Sequence, residues 1–205
     1  MRKIGIFGSG GFGREVLSLL DHAGLGNKVA SFFETDEIWK DRTVSGLPVL
    51  PLSQFDPAKT ELVLALGNPA ARRAVRDSLP PETRYPTIIH PTVVQGRSIE
   101  IGTGVVICAG CILTCDIQIG AHVQLNLSTT VGHDCSLEDF VTTAPAVNIS
   151  GRCQIGTGTY MGTNASLREG LSIAAESVIG MGAVVVSSIS RAGIFVGNPA
   201  KSRSV

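Results

Sequence analysis

The sequence of 205 residues has few aromatic side chains, no net charge and no long apolar segment. Aromatic residues make up 5%, and 17 Lys and Arg balance 17 Asp and Glu. Because the chain contains no run of Lys or Arg, its charge pattern disfavours nucleic-acid binding. The apolar run after Arg2 and Lys3 has only four residues before glycines follow, which is too short for a signal peptide or a membrane span. We therefore expect a soluble, cytoplasmic protein with no membrane or nucleic-acid partner.

A six-residue register runs without interruption from Ser98 to Ser187. The fourth position of the hexad is aliphatic or Met in fourteen of fifteen repeats, and the exception is Thr143. These fourth positions are Ile101, Ile107, Leu113, Ile119, Leu125, Val131, Leu137, Thr143, Ile149, Ile155, Met161, Leu167, Ile173, Ile179 and Val185. A fixed period over ninety residues is typical of a solenoid, in which each repeat buries its apolar face against its neighbours.

The hexads predict short strands that turn sharply at every repeat. Positions two and four lie on the same face of an extended strand, so we expect both to point inward. The fifth position is rich in glycine, and we expect the positive φ of a tight corner there. Three hexads per turn would form a triangular prism with an 18-residue coil. The fifteen hexads then give five coils and a rod of about 24 Å, at roughly 4.8 Å per rung.

The segment before the hexads has the pattern of a small α/β unit with a parallel sheet. Apolar runs that predict strands alternate with segments of helical period. We expect domains at residues 1–88 and 89–205. The predicted strands cover residues 2–7, 28–33 and 61–66, and the predicted helices cover 14–24 and 70–79.

The first strand leads into a glycine-rich loop. Gly8, Gly10 and Gly13 match G-x-G-x-x-G, and Glu34 follows at the end of the next strand. Glycines in such a loop let backbone N–H groups approach a phosphate at a helix N-terminus. The pattern fits a nucleotide sugar and also NAD(P), and we favour the nucleotide sugar because no second dehydrogenase domain follows.

The cysteines and histidines offer few metal-binding arrangements. Cys111, Cys135 and Cys153 occupy the second, inward position of their hexads, where Cys acts as a small apolar residue. Cys108 and Cys111 have C-x-x-C spacing but lack the second ligand pair of a zinc site. A metal site using His122 and His133 is a further alternative, but it lacks a third ligand. We expect no metal.

One His-Asp pair lies at a predicted corner of the solenoid. His133 takes the sixth position of its hexad and Asp134 follows it. A corner side chain can point outward into a groove, and a neighbouring carboxylate can fix the tautomer of the imidazole. His90 precedes a proline and His22 lies in the first helix, so we expect a structural role for the former and surface exposure for the latter.

The whole chain resembles the NeuD/PglD-type bacterial sugar acetyltransferases, which belong to the hexapeptide-repeat acyltransferases. The resemblance rests on the order of GSGGFG, the α/β unit, IIHPTVVQ, the hexads, NLSTTVGHDC and FVGNPAK. It implies a Rossmann-like N-terminal domain, a left-handed parallel β-helix and a homotrimer with active sites between neighbouring prisms. It also implies acetyl-CoA as co-substrate and a place in surface polysaccharide biosynthesis.

The resemblance implies three groups of site residues. The catalytic pair is His133, as general base, and Asp134. Acetyl-CoA would contact Gly151, Thr163, Gly180, Met181, Gly182, Ala183 and Lys201. The acceptor would contact Gly8, Ser9, Gly11, Phe12, Gly13, Glu34, Thr35, Asp36, Gly67, Asn68 and Arg72. The chain departs from the family's pattern at Phe12, Gly132 and Thr142.

The function implied is acetyl transfer from acetyl-CoA to the amine of a UDP- or GDP-linked 4-amino sugar. The alternative is O-acetylation of a free sugar such as sialic acid.

Overall fold

Two different β architectures make up the chain, which a computed structural model describes from residue 2 to residue 203. The N-terminal part is a five-stranded sheet flanked by two helices. Its elements are β1 (Lys3–Phe7), α1 (Gly11–His22), β2 (Val29–Glu34), β3 (Thr43–Val44), β4 (Leu47–Pro51), β5 (Thr60–Leu64) and α2 (Pro69–Ser78), with single 3₁₀ turns at Gly26–Lys28 and Leu52–Gln54.

The N-terminal sheet has the order β3-β4-β2-β1-β5, and only the β3–β4 pair is antiparallel. Ile6 in the central strand is fully buried, as are Val16 and Leu20 on the inner face of α1. Burying each such side chain contributes about 1.5–3 kcal/mol. The α/β unit and its parallel sheet are therefore confirmed, and the β3–β4 hairpin is an addition that the pattern did not predict.

The rest of the chain is a parallel β-helix built from very short strands. They are β6 (Ile88–Ile89), β7 (Val94–Gln95), β8 (Ile99–Ile101), β9 (Val106–Ile107), β10 (Ile112–Leu113), β11 (Ile117–Ile119), β12 (Gln124–Leu125), β13 (Thr130–Val131), β14 (Ser136–Leu137), β15 (Thr142–Thr143), β16 (Asn148–Ile149), β17 (Gln154–Ile155), β18 (Tyr160–Met161), β19 (Ser166–Leu167), β20 (Ser172–Ile173), β21 (Val178–Ile179), β22 (Val184–Val185), β23 (Ile194–Val196) and β24 (Lys201–Arg203).

Successive strands lie on three faces in turn. We call these the first face (β6, β9, β12, β15, β18, β21, β23, with β24 antiparallel at its edge), the second face (β7, β10, β13, β16, β19, β22) and the third face (β8, β11, β14, β17, β20). Residue i pairs with residue i+18, as Leu113 does with Val131. The triangular coil of 18 residues is thus confirmed. The predicted count of five coils is approximate, because the first face continues to β6 before the hexads and to β23 after them.

The second and fourth positions of the hexad fill the prism as expected. Cys111, Cys135 and Cys153 are buried beside the aliphatic fourth positions in one continuous core. The five cysteines are free thiols. Burial raises the pKa of Cys108 to about 12 and that of Cys111 to about 11, which disfavours the thiolate form needed for redox chemistry.

The prediction that glycine at position five supplies the positive φ is wrong. Positive φ occurs at the first position of all fifteen hexads, from Ser98 to Gly182, and ten of these residues are not glycine. Position-five glycines serve a different need, because the backbone of the next coil passes close to them. A Cβ on Gly156 would lie 2.5 Å from the backbone N of Ala175. Glycine at position five therefore allows the backbones of successive coils to pack closely.

The N-terminal unit packs on the first face of the β-helix. Val106 and Cys108 on this face belong to the same buried cluster as Ile6 and Leu20. Within residues 2–203, no helix combines the length and apolarity needed to cross a bilayer.

Candidate active site

His133 and Asp134 lie at the corner between the second and third faces, between β13 and β14. Both side chains are about half exposed, and Nδ1 of His133 lies 2.6 Å from Oδ2 of Asp134. Because a carboxylate can only accept, Nδ1 carries a hydrogen, and in the neutral form of the ring Nε2 is the nitrogen with the lone pair. Nε2 is therefore the atom of this pair that can act as a base.

Gly151 lies one coil further along the same corner and faces this nitrogen. A Cβ built on Gly151 would come within 2.6 Å of Nε2 of His133. Gly151 is a buried residue, and its backbone N–H has no acceptor within residues 2–203. A backbone N–H without an acceptor, in a residue packed against a basic nitrogen, can donate a hydrogen bond to a developing oxyanion.

The other residues assigned to acetyl-CoA lie on a different corner. Thr163 follows β18, and Gly180 to Ala183 connect β21 to β22, so both segments lie between the first and second faces. Met181 is 77% exposed there, and the backbone N–H of Gly182 donates to the carbonyl of Thr163. Ala183 is fully buried inside the prism. The Ala183 side chain therefore cannot reach a ligand, and the predicted cofactor contact of this residue would have to be made by its backbone.

Lys201 belongs to the hairpin that ends the first face. It begins β24, which pairs with β23, and its side chain is exposed. The neighbouring Ala200 donates its N–H to the carbonyl of Val184, which fixes the hairpin to the coil below. Lys201 is thus available to a ligand near this corner.

The glycine loop leads directly into α1. Gly8 has a φ of +101°, and a Cβ on Gly13 would lie 1.9 Å from the carbonyl oxygen of Gly8. Both positions thus require glycine for a tight strand-to-helix turn. Gly10 and Gly11 face open space instead, and no side chain caps the helix. The uncapped N–H groups can bind an anion.

A polar cluster lies beside this loop at the end of β2. Ser9 donates to Oε1 of Glu34, and a guanidinium nitrogen of Arg42 lies 2.6 Å from the same oxygen and 2.9 Å from Oγ of Ser9. Oε2 of Glu34 is buried without a partner among the described residues. The cluster therefore leaves one buried carboxylate oxygen without a hydrogen-bond donor among the described residues.

Thr35 and Asp36 follow Glu34 toward the surface. Both carboxylate oxygens of Asp36 accept from Ser53, one from its hydroxyl and one from its backbone N–H. The hydroxyl contact, more than any other, lowers the pKa of Asp36. Asp36 thus ties the β2 loop to the segment after β4.

A cleft of about 340 Å³ separates α1 and the loop after β5 from the corner between the first and second faces. Phe12 and Gly67 line one wall, and Asn126, Tyr160 and Thr163 line the other. A second cavity of about 590 Å³ lies beyond Gly67, at the start of α2. Asn68 caps α2 by accepting the N–H of Ala71. Phe12 and Gly67, which are predicted to contact the acceptor, therefore lie across one cleft from Thr163, which is predicted to contact acetyl-CoA.

Arg72 does not contribute to this cleft as a ligand-binding group. It is completely buried, and all five of its donors are used. They reach the carbonyl oxygens of Leu66, His122 and Phe140 and the side-chain oxygens of Gln124 and Thr142, at 2.6–3.0 Å. The predicted acceptor contact of Arg72 is therefore wrong, because no donor remains for a ligand.

His122 is also structural. Its ring stacks on Phe140 and meets Tyr85 edge-on. Burial, with Arg76 and Arg72 nearby, lowers its pKa to about 4. His122 lies before β12 and His133 before β14, at different corners, and residues 2–203 contain no cluster of three potential metal ligands. His90 accepts from the N–H of Thr92, as a structural residue does, and His22 is exposed.

The sequence interpretation missed Arg42 and Gln124. An arginine that follows the acid of a glycine-loop motif is a known partner for nucleotides, so spacing could have indicated Arg42. Gln124 occupies the outward third position of its hexad, and nothing in the hexad pattern distinguishes it from the other third positions.

Comparison with known proteins identifies both parts of the chain. Residues 3–79 match the PglD N-terminal domain. The chain is 34% identical over 178 residues to GDP-perosamine N-acetyltransferase of Escherichia coli O157:H7, which covers 83% of this chain and 80% of the relative.

Two solved structures are similar along the whole chain. The acetyltransferase domain of PglB from Neisseria gonorrhoeae FA1090, in complex with acetyl coenzyme A, superimposes with a TM-score of 0.89 at 29% identity, covering 98% of this chain and 99% of that one. PerB from Caulobacter crescentus, in complex with CoA and GDP-perosamine, has a TM-score of 0.87 at 27% identity, covering 100% and 98%. With its glycine-loop unit, its triangular β-helix and this similarity, the chain belongs to the NeuD/PglD-type sugar acetyltransferases.

Proposed function

We propose that the protein transfers an acetyl group from acetyl-CoA to the amine of a nucleotide-linked 4-amino sugar. The observation that carries the proposal is Nε2 of His133, which makes no hydrogen bond, packed against the Cα of Gly151, whose backbone N–H has no acceptor among the described residues. The relative from Escherichia coli is named for N-acetylation of GDP-perosamine, and the solved relatives bind acetyl coenzyme A, or CoA with GDP-perosamine.

His133 acts as the general base in this proposal. As the amine nitrogen attacks the thioester carbonyl, Nε2 takes a proton from it, and Asp134 holds the imidazolium that forms. The C–S bond then breaks, and the imidazolium of His133 returns its proton to the thiolate, so that CoA leaves as its thiol and the base is neutral again. General base catalysis of this kind contributes about 10²–10⁴-fold.

Gly151 stabilises the tetrahedral intermediate. Its N–H has no acceptor among the described residues, so no existing hydrogen bond is lost when it donates to the oxyanion. The absence of a Cβ is required because Nε2 of His133 occupies that space. One glycine thus supplies both the donor and the room for the base.

The N-terminal unit, residues 1–88, binds the nucleotide in this proposal, and the β-helix with its tail, residues 89–205, binds acetyl-CoA. The diphosphate lies over the uncapped start of α1 at Gly10 and Gly11, where no side chain intervenes. The segment from Glu34 to Asp36 lies near the nucleoside. Lys201 pairs with a phosphate of CoA.

A homotrimer completes the site. His133 and Gly151 lie at the corner between the second and third faces, but the acceptor cleft lies at the corner between the first and second faces. Within one chain, the second face of the prism separates the His133 corner from the acceptor cleft. In a trimer, the His133 corner of one chain would lie against the acceptor cleft of the next chain, and the two would form one site. The five free thiols fit a reducing compartment, and we place the enzyme in the cytoplasm.

Incubation of the protein with acetyl-CoA and either a UDP- or a GDP-linked 4-amino sugar tests the proposal. We expect stoichiometric CoA release and a product whose new acetamide is visible by NMR. Calorimetry with UDP and GDP identifies the nucleobase that the protein binds. Acetyl ester formation on free sialic acid, with no nucleotide binding, would support the O-acetyltransferase alternative instead.

A further inference from the structure

Arg72 is a buried cation with no acidic partner. Its five acceptors are three carbonyl oxygens, one amide oxygen and one hydroxyl. The pKa is lowered to about 9, chiefly by burial, so the guanidinium still carries its charge at neutral pH. A buried charge held only by neutral groups is costly, and in some proteins such a group specifies a geometry rather than adding stability.

The five bonds join three separate parts of the molecule. Arg72 lies in the first turn of α2, and one guanidinium nitrogen donates to the carbonyl of Leu66 at 2.6 Å, just before the loop of Gly67 and Asn68. The remaining bonds reach the β-helix, at the carbonyls before β12 and β15 and at the outward side chains of those strands. Loop, helix and prism are thus held by one side chain.

Gln124 extends the same connection. Its Oε1 accepts from Arg72 at 2.9 Å, and its Nε2 donates to the carbonyl of Leu64 at 2.7 Å. Leu64 is the last residue of β5, and the carboxyl edge of the parallel sheet is where α/β folds bind their ligands. The network therefore fixes the ligand-binding edge of the N-terminal unit directly to the first face.

The fixed edge borders the cleft between the two parts. Gly67 lines both the 340 Å³ cleft and the larger cavity beyond it, and Gln124 and Thr142 line the cleft from the β-helix. A shift of the loop would change where an acceptor bound to the N-terminal unit presents its amine. Misplacement by about 1 Å can cost on the order of 100-fold in rate.

We infer that Arg72 is a positioning residue for the transfer reaction: it holds the acceptor-binding loop at Gly67 and Asn68 in a fixed place relative to the β-helix. The inference rests on the proposed function. Arg72 touches neither substrate. It acts through the carbonyl of Leu66 on one side and through the first face on the other.

The test compares Arg72→Lys with the matched control Arg73→Lys in the full-length protein. Lysine keeps the charge but offers three donors from one nitrogen instead of a planar fork of five. Arg73 is the next residue of α2; it forms a partly exposed ion pair of 2.8 Å with Glu176, and its guanidinium lies 5.2 Å from the centroid of the Phe140 ring. We expect Arg72→Lys to lower kcat with the nucleotide amino sugar about 10- to 100-fold, and Arg73→Lys to keep it within about twofold.

Two further readouts separate positioning from a loss of folded protein. After normalisation to the calorimetric stoichiometry for UDP or GDP, the Kd of the nucleotide and the KM of acetyl-CoA should stay within about twofold. A parallel loss of kcat and of both affinities would overturn the inference, as would full retention of kcat by Arg72→Lys. If Arg72→Lys fails to fold, Thr142→Val removes a single bond, and we expect a reduction of a few-fold in kcat.

Hydrogen exchange tests the same claim without turnover. Backbone amides of residues 65–71 should exchange faster in Arg72→Lys than in Arg73→Lys, whereas those of β1 should not change. Equal exchange in both variants would overturn the positioning role. If the wild-type protein acetylates no nucleotide amino sugar but these exchange rates differ, the proposed function is wrong. The conclusion that Arg72 holds the loop at Gly67 and Asn68 in place would still be supported.

Discussion

The two parts of this molecule specify their backbones in opposite ways. In the N-terminal unit, the glycine loop is a single, unrepeated turn, and the positive φ of Gly8 is supplied by a residue without a Cβ. In the β-helix, ten non-glycine residues from Ser98 to Glu176 adopt positive φ at the first hexad position. The glycine loop of the first part thus avoids backbone strain by composition, and Ser45 in the β3–β4 turn is the one non-glycine residue with positive φ among the described residues of that part. The β-helix adopts the same conformation without glycine at ten of its fifteen first positions.

Hydrogen bonding between coils explains this tolerance. The first-position N–H of one coil donates to the sixth-position carbonyl of the coil before it, as Asp134 does to Cys115 and Arg152 does to His133. A conformation that is unfavourable for one residue persists when its surroundings over-determine it. The repeat therefore allows Asp, His or Arg at corners, which are the outward positions where chemistry is possible.

The comparison predicts that the most sensitive glycine lies at the proposed site. Gly151→Ala would bring a Cβ within 2.6 Å of Nε2 of His133, and the imidazole, as the half-exposed end of a side chain, would rotate away. We expect kcat to fall on the order of 10²–10³-fold, with the melting temperature nearly unchanged. Ser150→Ala is the matched control, and equal kcat values for the two variants would contradict the role of Gly151.

Protonation of His122, which is buried where the N-terminal unit packs on the β-helix, should destabilise the fold at acidic pH. Its pKa is about 4 when folded, against about 6.5 unfolded, so the unfolded chain binds more protons between these values. The stability is present in full above about pH 6.5 and falls as the pH drops toward 4, by up to about 3 kcal/mol. Arg76 and Arg72 oppose the charged form more than Asp139 and Asp77 favour it.

Urea denaturation at pH 7 and pH 4 measures this effect as a difference between the wild type and His122→Phe. Phenylalanine fits between the two aromatic neighbours, and Phe140 already occupies a first position with a φ of 61°. The variant should lose less stability on acidification. An identical pH dependence for both proteins would show that His122 is not a buried neutral group.

Two glycine substitutions remote from the site should separate close coil stacking from corner geometry. Gly156→Ala, at position five, places a Cβ 2.5 Å from the backbone N of Ala175, and we expect a cost of about 1–3 kcal/mol, as for overpacking. Gly170→Asn, at position one, has a φ of +72° but meets no atom within 4 Å, so we expect about 1 kcal/mol or less. If Gly170→Asn lowered the denaturation midpoint more than Gly156→Ala, the claim that position five needs glycine for close coil stacking while position one tolerates other residues would be refuted.

Much of the fold could be predicted because its signals are periodic. The hexad phase places Cys111 and Leu113 inside the prism without knowledge of their neighbours, since period determines direction. Glycine content misled the prediction of φ, because glycine is selected at position five for space and the first position admits many residues. Composition at one position cannot distinguish conformational need from steric need.

The site was less predictable from sequence. Local pairs such as His133 and Asp134, or residues one coil apart such as Gly151, follow from register, and the structure brings them together. Arg72 shows the limit of such reasoning. It is one of two adjacent arginines in α2, and only tertiary contacts decide that it is buried while Arg73 is part-exposed.

The most direct test of the account is the kcat of His133→Ala with acetyl-CoA and the nucleotide amino sugar that the wild type accepts. Loss of the general base predicts a fall of about 10²–10⁴-fold. The calorimetric affinities for the nucleotide and for CoA should be unchanged, because neither binding region requires this side chain. A His133→Ala protein that acetylates its acceptor at the wild-type rate would contradict the central claim.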